Sequence, residues 1–278
     1  MLQLQLHHIV DLYCWVDELV PSRVQVAGRP RALSDSEMIT MLVWATLTGK
    51  HKTIQGIYDT VLLYLWKEFP NLPEYSAFAR LYEETLPTAT WLLETLLDTC
   101  EPVRIMDSTM LPVCKPHRTD SHRVAKGVAA YGKNHQGWHY GFKLHASISL
   151  DGSLCGLAFT PANIYDAQVT PAIINSHTRL AVGDTLYGAS VMRKHIWETY
   201  GTVIISPPFP KQNKKVAAPW QTKLLNLRSK IESVFDYLKE HLNLVTSLCR
   251  SVTGYLMHYV RILLSYQILA LTRKGAMK

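Results

Sequence analysis

Ten acidic side chains fall between residues 101 and 278, and two of them close short apolar runs. Asp107 follows Val103-Arg104-Ile105-Met106, and Asp184 follows Leu180-Ala181-Val182-Gly183. A carboxylate at the end of a buried strand is costly to leave unpaired. Taken singly, either acid is satisfied by a turn. Taken together on one sheet of a basic segment, they point to a metal site, because hard divalent cations take carboxylate oxygens and keep their waters. Asp120, Asp151, Glu198 and Glu240 read as turn or solvent-facing residues, and Asp166 as the cap of a following helix.

The third acid comes from a long helix predicted from about Gln221 to Leu242. Leu224, Leu227, Ile231, Val234, Phe235, Leu238 and Leu242 form one apolar stripe at ~100° per residue. Arg228, Glu232 and Lys239 fall within ~40° of one another along an edge of that stripe. Glu232 is the candidate ligand, and an ordinary i,i+4 pair of Arg228 with Glu232 is the competing explanation.

The surrounding pattern is α/β from about Pro102 onward. Val103–Asp107 reads as a strand, His139–Leu150 and Leu154–Phe159 as a hairpin turning at Asp151-Gly152, and Leu180–Asp184 and Thr202–Ile205 as further strands. Helices are expected over Asp166–His177 and Ala189–Tyr200, with a Pro- and Lys-rich loop from Ser206 to Trp220. Asp107 and Asp184 then sit at carboxyl ends of strands, where open α/β sheets place their sites. Residues 1–100 read as helices, over Leu2–Leu19, Met38–Leu47, Thr53–Trp66, Ser76–Leu86 and Thr88–Thr99. Ser34-Asp35-Ser36-Glu37 forms a capping box before the second. The tail from Tyr255 to Leu271 is predicted helical as well.

Charge divides the chain at the same place. Residues 1–100 carry seven Lys/Arg and twelve Asp/Glu, whereas the rest carries twenty-two and ten, within an overall net charge of +7. A basic segment of this strength seeks a polyanion, and nucleic acid is the usual one. Lys115, Arg118, Arg123, Lys126, Lys133 and Lys143 cluster around the first two strands. Lys211, Lys214 and Lys215 lie on the loop before the Glu232 helix. Such clusters neutralise phosphates. The five cysteines form no C-x-x-C pair, so neither a disulfide framework nor a zinc site is expected. No secretory signal and no membrane span is read, and a cytoplasmic, nucleoid-associated protein is expected.

Several segments together resemble DDE transposases of bacterial insertion sequences, the insertion sequence 982 family in particular. They are Leu33-Ser34-Asp35-Ser36-Glu37, Tyr75-Ser76-Ala77-Phe78, and Met106-Asp107-Ser108-Thr109-Met110-Leu111-Pro112-Val113-Cys114. Further along come Tyr140-Gly141-Phe142-Lys143-Leu144-His145, Thr160-Pro161-Ala162-Asn163-Ile164-Tyr165-Asp166, Gly183-Asp184 and Arg228-x₃-Glu232-x₆-Lys239. The order and spacing carry the resemblance more than any one motif. Thr185 and Leu225 stand where relatives often have Lys and Tyr.

The resemblance implies an RNase H-like catalytic domain over 101–278, preceded by an all-α domain over 1–100 that binds DNA ends or dimerises. It implies Asp107, Asp184 and Glu232 as catalytic metal ligands for two Mg²⁺ ions, with Mn²⁺ expected to substitute. It also implies double-stranded DNA partners, namely terminal inverted repeats and target DNA, and a homodimer on DNA. Arg228 and Lys239 are then expected to contact phosphates. An RNase H-like nuclease that cuts without joining, and a non-catalytic DNA-binding relic, remain as alternatives.

Overall fold

A computed structural model describes residues 9–21, 30–49, 51–134, 137–208 and 218–275. In chain order the helices and strands are α1 (Ile9–Leu19), α2 (Asp35–Thr48), α3 (Ile54–Tyr64), α4 (Tyr75–Glu84), α5 (Leu86–Leu96), β1 (Val103–Cys114), β2 (Ala130–Asn134), β3 (Gly137–Ile148), β4 (Leu154–Pro161), α6 (Asp166–Ile173), β5 (Leu180–Val182), α7 (Ser190–Tyr200), β6 (Val203–Ile205), α8 (Pro219–Leu225), α9 (Ser229–Asp236) and α10 (Val252–Arg273). They form two compact units. One comprises residues 97–237, and the other joins residues 1–96 to residues 238–278.

The helical unit therefore divides the chain differently from a cut at residue 100, because α10 packs with the early helices. Tyr255, Tyr259, Ile262, Leu263 and Tyr266 are all buried. A helix that is apolar on several faces needs helices around it, and α2, α4 and α5 supply them. The expected capping box begins α2. Ser34 Oγ accepts from the Glu37 amide at 3.1 Å, and Glu37 Oε2 accepts from the Ser34 amide at 2.6 Å. On α10 the buried His258 is held as a neutral ring. Its Nε2 donates to the Asn243 carbonyl at 2.9 Å, and its Nδ1 accepts from Arg261 at 3.1 Å.

The second unit is built on a mixed sheet. The strand order is β2-β3-β1-β5-β6, with β4 also paired to β3. Strand β3 runs antiparallel to β1, β2 and β4, while β1, β5 and β6 are parallel. β2 and β4 share one edge of β3, covering residues 137–141 and 142–148 respectively. The short β2 was not apparent from the sequence, since Ala130-Tyr131-Gly132-Lys133-Asn134 has little apolar run and becomes a strand by pairing.

β1 is longer than expected, continuing beyond Asp107 to Cys114. Pro112 is accommodated because it lies past the end of the β5 pairing and next to a bulge. α6 is shorter than expected and ends at Ile173. Asn175 leaves the helix to accept from the Arg104 guanidinium at 3.0 Å and to donate to the Thr99 carbonyl at 2.8 Å. Arg104 is 1% exposed, and it also bonds the carbonyls of Thr99, Glu101, Cys155 and Ile173. A buried guanidinium with five acceptors ties β1 to β4 and α6, and Lys has no fork to replace it.

Burial, reinforced by the Arg261 charge, pushes His258 down to about 3. Its folded pKa thus lies below the unfolded value, so the unfolded chain binds more protons between the two. His258 should contribute no acid lability above about pH 6.5, and should erode stability as pH falls from there toward 3. His258→Gln should flatten the fall of the urea midpoint between pH 6.5 and 4. An unchanged slope would show that other groups drive acid unfolding.

Candidate active site

Asp107 does not close its strand; it lies in the interior of β1, opposite Ala146 of β3. On its other side the last β5 pairing is Ile105 with Val182. Asp107 therefore stands just beyond the carboxyl end of β5, where the parallel edge opens. Its side chain is 19% exposed. Oδ1 accepts from the Ser108 amide at 2.8 Å, and Oδ2 lies 4.0 Å from an Arg228 nitrogen. Burial raises the carboxyl to about 6. The Ser108 amide and Arg228 oppose that shift, while Asp184 and Asp166 push in the same direction.

Asp184 is two residues past β5 and caps a single 3₁₀ turn, Thr185–Gly188, with Oδ1 accepting from the Leu186 amide at 2.8 Å. Its carboxyl is also raised, first by burial and then by Asp166. Gly183 is needed here because a Cβ would lie 2.7 Å from the Tyr187 ring. That ring folds back under the turn and is fully buried. Its hydroxyl has no hydrogen-bond partner among the described residues. Burial raises its pKa, and the charges of Asp166, Asp107 and Asp184 raise it further.

Glu232 comes from the first turn of α9. The single long helix expected here is segmented into α8, a 3₁₀ turn over Asn226–Arg228, α9, and a π turn over Tyr237–His241. Arg228 ends the 3₁₀ turn, and one of its nitrogens lies 4.0 Å from both Asp107 Oδ2 and Glu232 Oε1. The i,i+4 pair is thus present, and the same guanidinium also reaches the sheet. Glu232 is more open than the two aspartates, with 59% of its side chain exposed. Lys239 lies in the π turn and belongs to the helical unit.

Asp166 and its partner His145 were not singled out in the sequence as site residues, and its other partner, Lys143, was expected on DNA. Tyr165 occupies the N-cap of α6 without a side-chain cap bond, so Asp166 is not the helix cap it was expected to be. Its carboxylate is buried, 3.0 Å from Lys143 Nζ and 3.4 Å from His145 Nδ1. Lys143 also donates to the Ile164 carbonyl at 2.8 Å. Its charge is spent inside the fold, which removes it from a phosphate-binding surface. Burial and the Lys143 charge push His145 down to about 4, against the pull of Asp166. A signal existed: Lys143 and His145 alternate on one face of an otherwise apolar strand, and an inward cation requires a buried acid. The other expected DNA contacts Lys115, Arg118, Arg123 and Lys126 are exposed. Lys211, Lys214 and Lys215 lie outside the described residues.

The donor set of Asp107 and Asp184 suits a hard divalent cation. Burial raises both carboxyls and the Asp184 charge raises Asp107 further, and a bound cation would relieve that shift. Among the described residues no three His, Cys, Asp or Glu side chains are grouped closely enough to hold an ion.

Residues 97–252 match the family model described as a transposase DDE domain. The match begins where the sheet-containing unit begins and covers more than half of the chain, and the chain belongs to this family. No curated protein matches the sequence. A chain from a solved structure of a pre-cleavage Mos1 transpososome is similar over 91% of this chain and 82% of its own, at 11% identity and a TM-score of 0.23. Likeness at that level carries no argument about fold or function.

A raised folded carboxyl stabilises the protein below its unfolded pKa and loses that contribution as pH rises through the folded one. In EDTA, Asp107→Asn should therefore melt a few degrees above the parent at pH 8, on the order of 1–3 kcal/mol. The two should converge below about pH 4. A lower melting temperature at pH 8 would show that attraction to Arg228 outweighs burial.

Proposed function

We propose that the chain is a metal-dependent DNA transposase of the insertion-sequence type, close to the insertion sequence 982 family, with Asp107, Asp184 and Glu232 as its catalytic carboxylates. The observation that carries the reading is that one Arg228 nitrogen lies 4.0 Å from both Asp107 on β1 and Glu232 on α9, inside a family whose members are transposases. The strand arrangement supports an RNase H-like assignment for this unit: an antiparallel β1-β3-β4 half continues into parallel β5 and β6.

Asp107, Asp184 and Glu232 would hold Mg²⁺, or Mn²⁺ in its place, and the bound ions would supply charge neutralisation at the scissile phosphate and its attacking and leaving oxygens. The chain's own residues prepare that place. The two aspartates are fixed by amide donors from Ser108 and Leu186. Arg228 stands beside Asp107 and Glu232 as a cation for the phosphate that arrives. Water first hydrolyses the transposon end, leaving a 3′-OH. That 3′-OH then attacks target DNA in the same site, so no protein–DNA covalent intermediate is needed. Exposed Lys115, Arg118, Arg123 and Lys126 provide sequence-independent affinity for the duplex. Two copies working on the paired ends of one element are the simplest arrangement for joining both.

The test is incubation of the full chain with duplex DNA from its own element's ends and Mg²⁺. Cleavage and strand-transfer products are expected. Asp107→Ala, Asp184→Ala and Glu232→Ala should each lower both steps by at least ~100-fold while leaving duplex binding in place. Mg²⁺ should raise the melting temperature of the parent and not of the two aspartate variants. Cleavage without joined products would replace the transposase reading by a nuclease. Parent-like cleavage by any one variant would remove that acid from the site.

A further inference from the structure

We propose that the β2–β3 ladder is a stacking platform for the unpaired bases of a DNA strand. The proposal takes its DNA from the transposase reading, but its geometry stands independently of the acids.

Register places four side chains on one face of the ladder. Tyr131 pairs with Tyr140, and Lys133 pairs with Trp138. The Tyr131 and Tyr140 rings are 5.1 Å apart, and the Tyr131 and Trp138 rings are 6.5 Å apart at 84°. Tyr140 is buried and forms the floor, with His122 packed edge-on against it. Tyr131 and Trp138 stand up from that floor as a right-angled corner.

Cross-strand aromatic pairs do stabilise hairpins, and that role accounts for Tyr140. It does not account for Trp138, which is 59% exposed, or Tyr131, which is 45% exposed. The two exposed rings adjoin one another, and contiguous exposed apolar surface marks interaction sites.

The surrounding charge identifies the cover. Lys133 Nζ lies 5.7 Å from the Trp138 ring centre. Residues 115–134 carry five Lys/Arg and the single acid Asp120, and all five cations are exposed. An anionic partner with flat apolar faces fits both features, and a nucleic-acid strand has both. Exposed rings select unpaired bases, because bases stacked within a duplex hide their faces. Base–aromatic stacking together with basic side chains is the general means of holding single strands.

The platform is also placed usefully. Alternation along β3 puts Trp138 and Tyr140 on the same side of the strand as Ala146, the register partner of Asp107. Eight residues separate Trp138 from Ala146, which is ~26 Å of strand. The platform thus lies within reach of a bound DNA strand that starts at the acids.

The test measures binding of the full chain, without divalent cation, to a labelled thymidine-rich single strand and to a duplex of equal length. Trp138→Leu keeps apolar bulk and loses the ring, so it should weaken single-strand binding on the order of tenfold. Trp138→Phe should stay within about twofold of the parent. Neither should change duplex affinity or melting temperature. Tyr131→Leu, on the neighbouring strand, should repeat the pattern, so the outcome does not depend on one variant's folding. Unchanged single-strand affinity in both Leu variants, or equal losses on single strand and duplex, would overturn the platform. Failure of the parent to bind either DNA would defeat the transposase reading and the platform with it.

Discussion

Strand β1 is held unequally on its two edges. β3 pairs with it along most of its length, whereas β5 pairs with only its first three residues. Backbone groups beyond Ile105 therefore have no β5 partner, and the first acid after that point is Asp107. The same early end of β5 lets Gly183-Asp184 turn away next to it. The crevice exists because one parallel strand is three residues long and its neighbour is twelve. Arg104 secures that neighbour from the opposite end, where its guanidinium joins β1 to the chain before it, to β4 and to the end of α6.

Electrostatics at the crevice are uneven by construction. Asp107 and Asp184 are raised by burial, and Asp166 adds its charge from behind. Asp166 is neutralised by Lys143, while Asp107 has Arg228 at a loose 4.0 Å. The rear acid is thus a settled structural ion pair, and the front acids keep unspent negative charge. Buried charge of this kind is retained where a ligand will complete it.

The helix that brings Arg228 and Glu232 is irregular where it matters. A 3₁₀ turn ends at Arg228, and a π turn starts after Asp236. Both kinds of turn alter the angular step between residues. Between them α9 is regular, so Arg228 and Glu232 stay neighbours.

The sequence by itself determined the α/β order of the second unit and the start of α2, and it nominated the acids proposed for the site. These follow from local signals: apolar runs closed by aspartate, the turn at Asp151-Gly152, and a capping box whose donors and acceptors lie three residues apart. It also carried the resemblance to DDE transposases, which the match over residues 97–252 bears out. Tertiary structure decided what those local signals could not hold. Asp107 is interior to its strand because pairing with β3 continues past it. Asp166 serves Lys143 and not its helix because a strand passes beneath it. α10 joins the first helices because its apolar faces have no other cover, and β2 exists because β3 offers it an edge. Except for β2, whose partner strand follows it directly in the chain, the deciding partner is far away in the sequence, and the energy of burial and pairing depends on who that partner is.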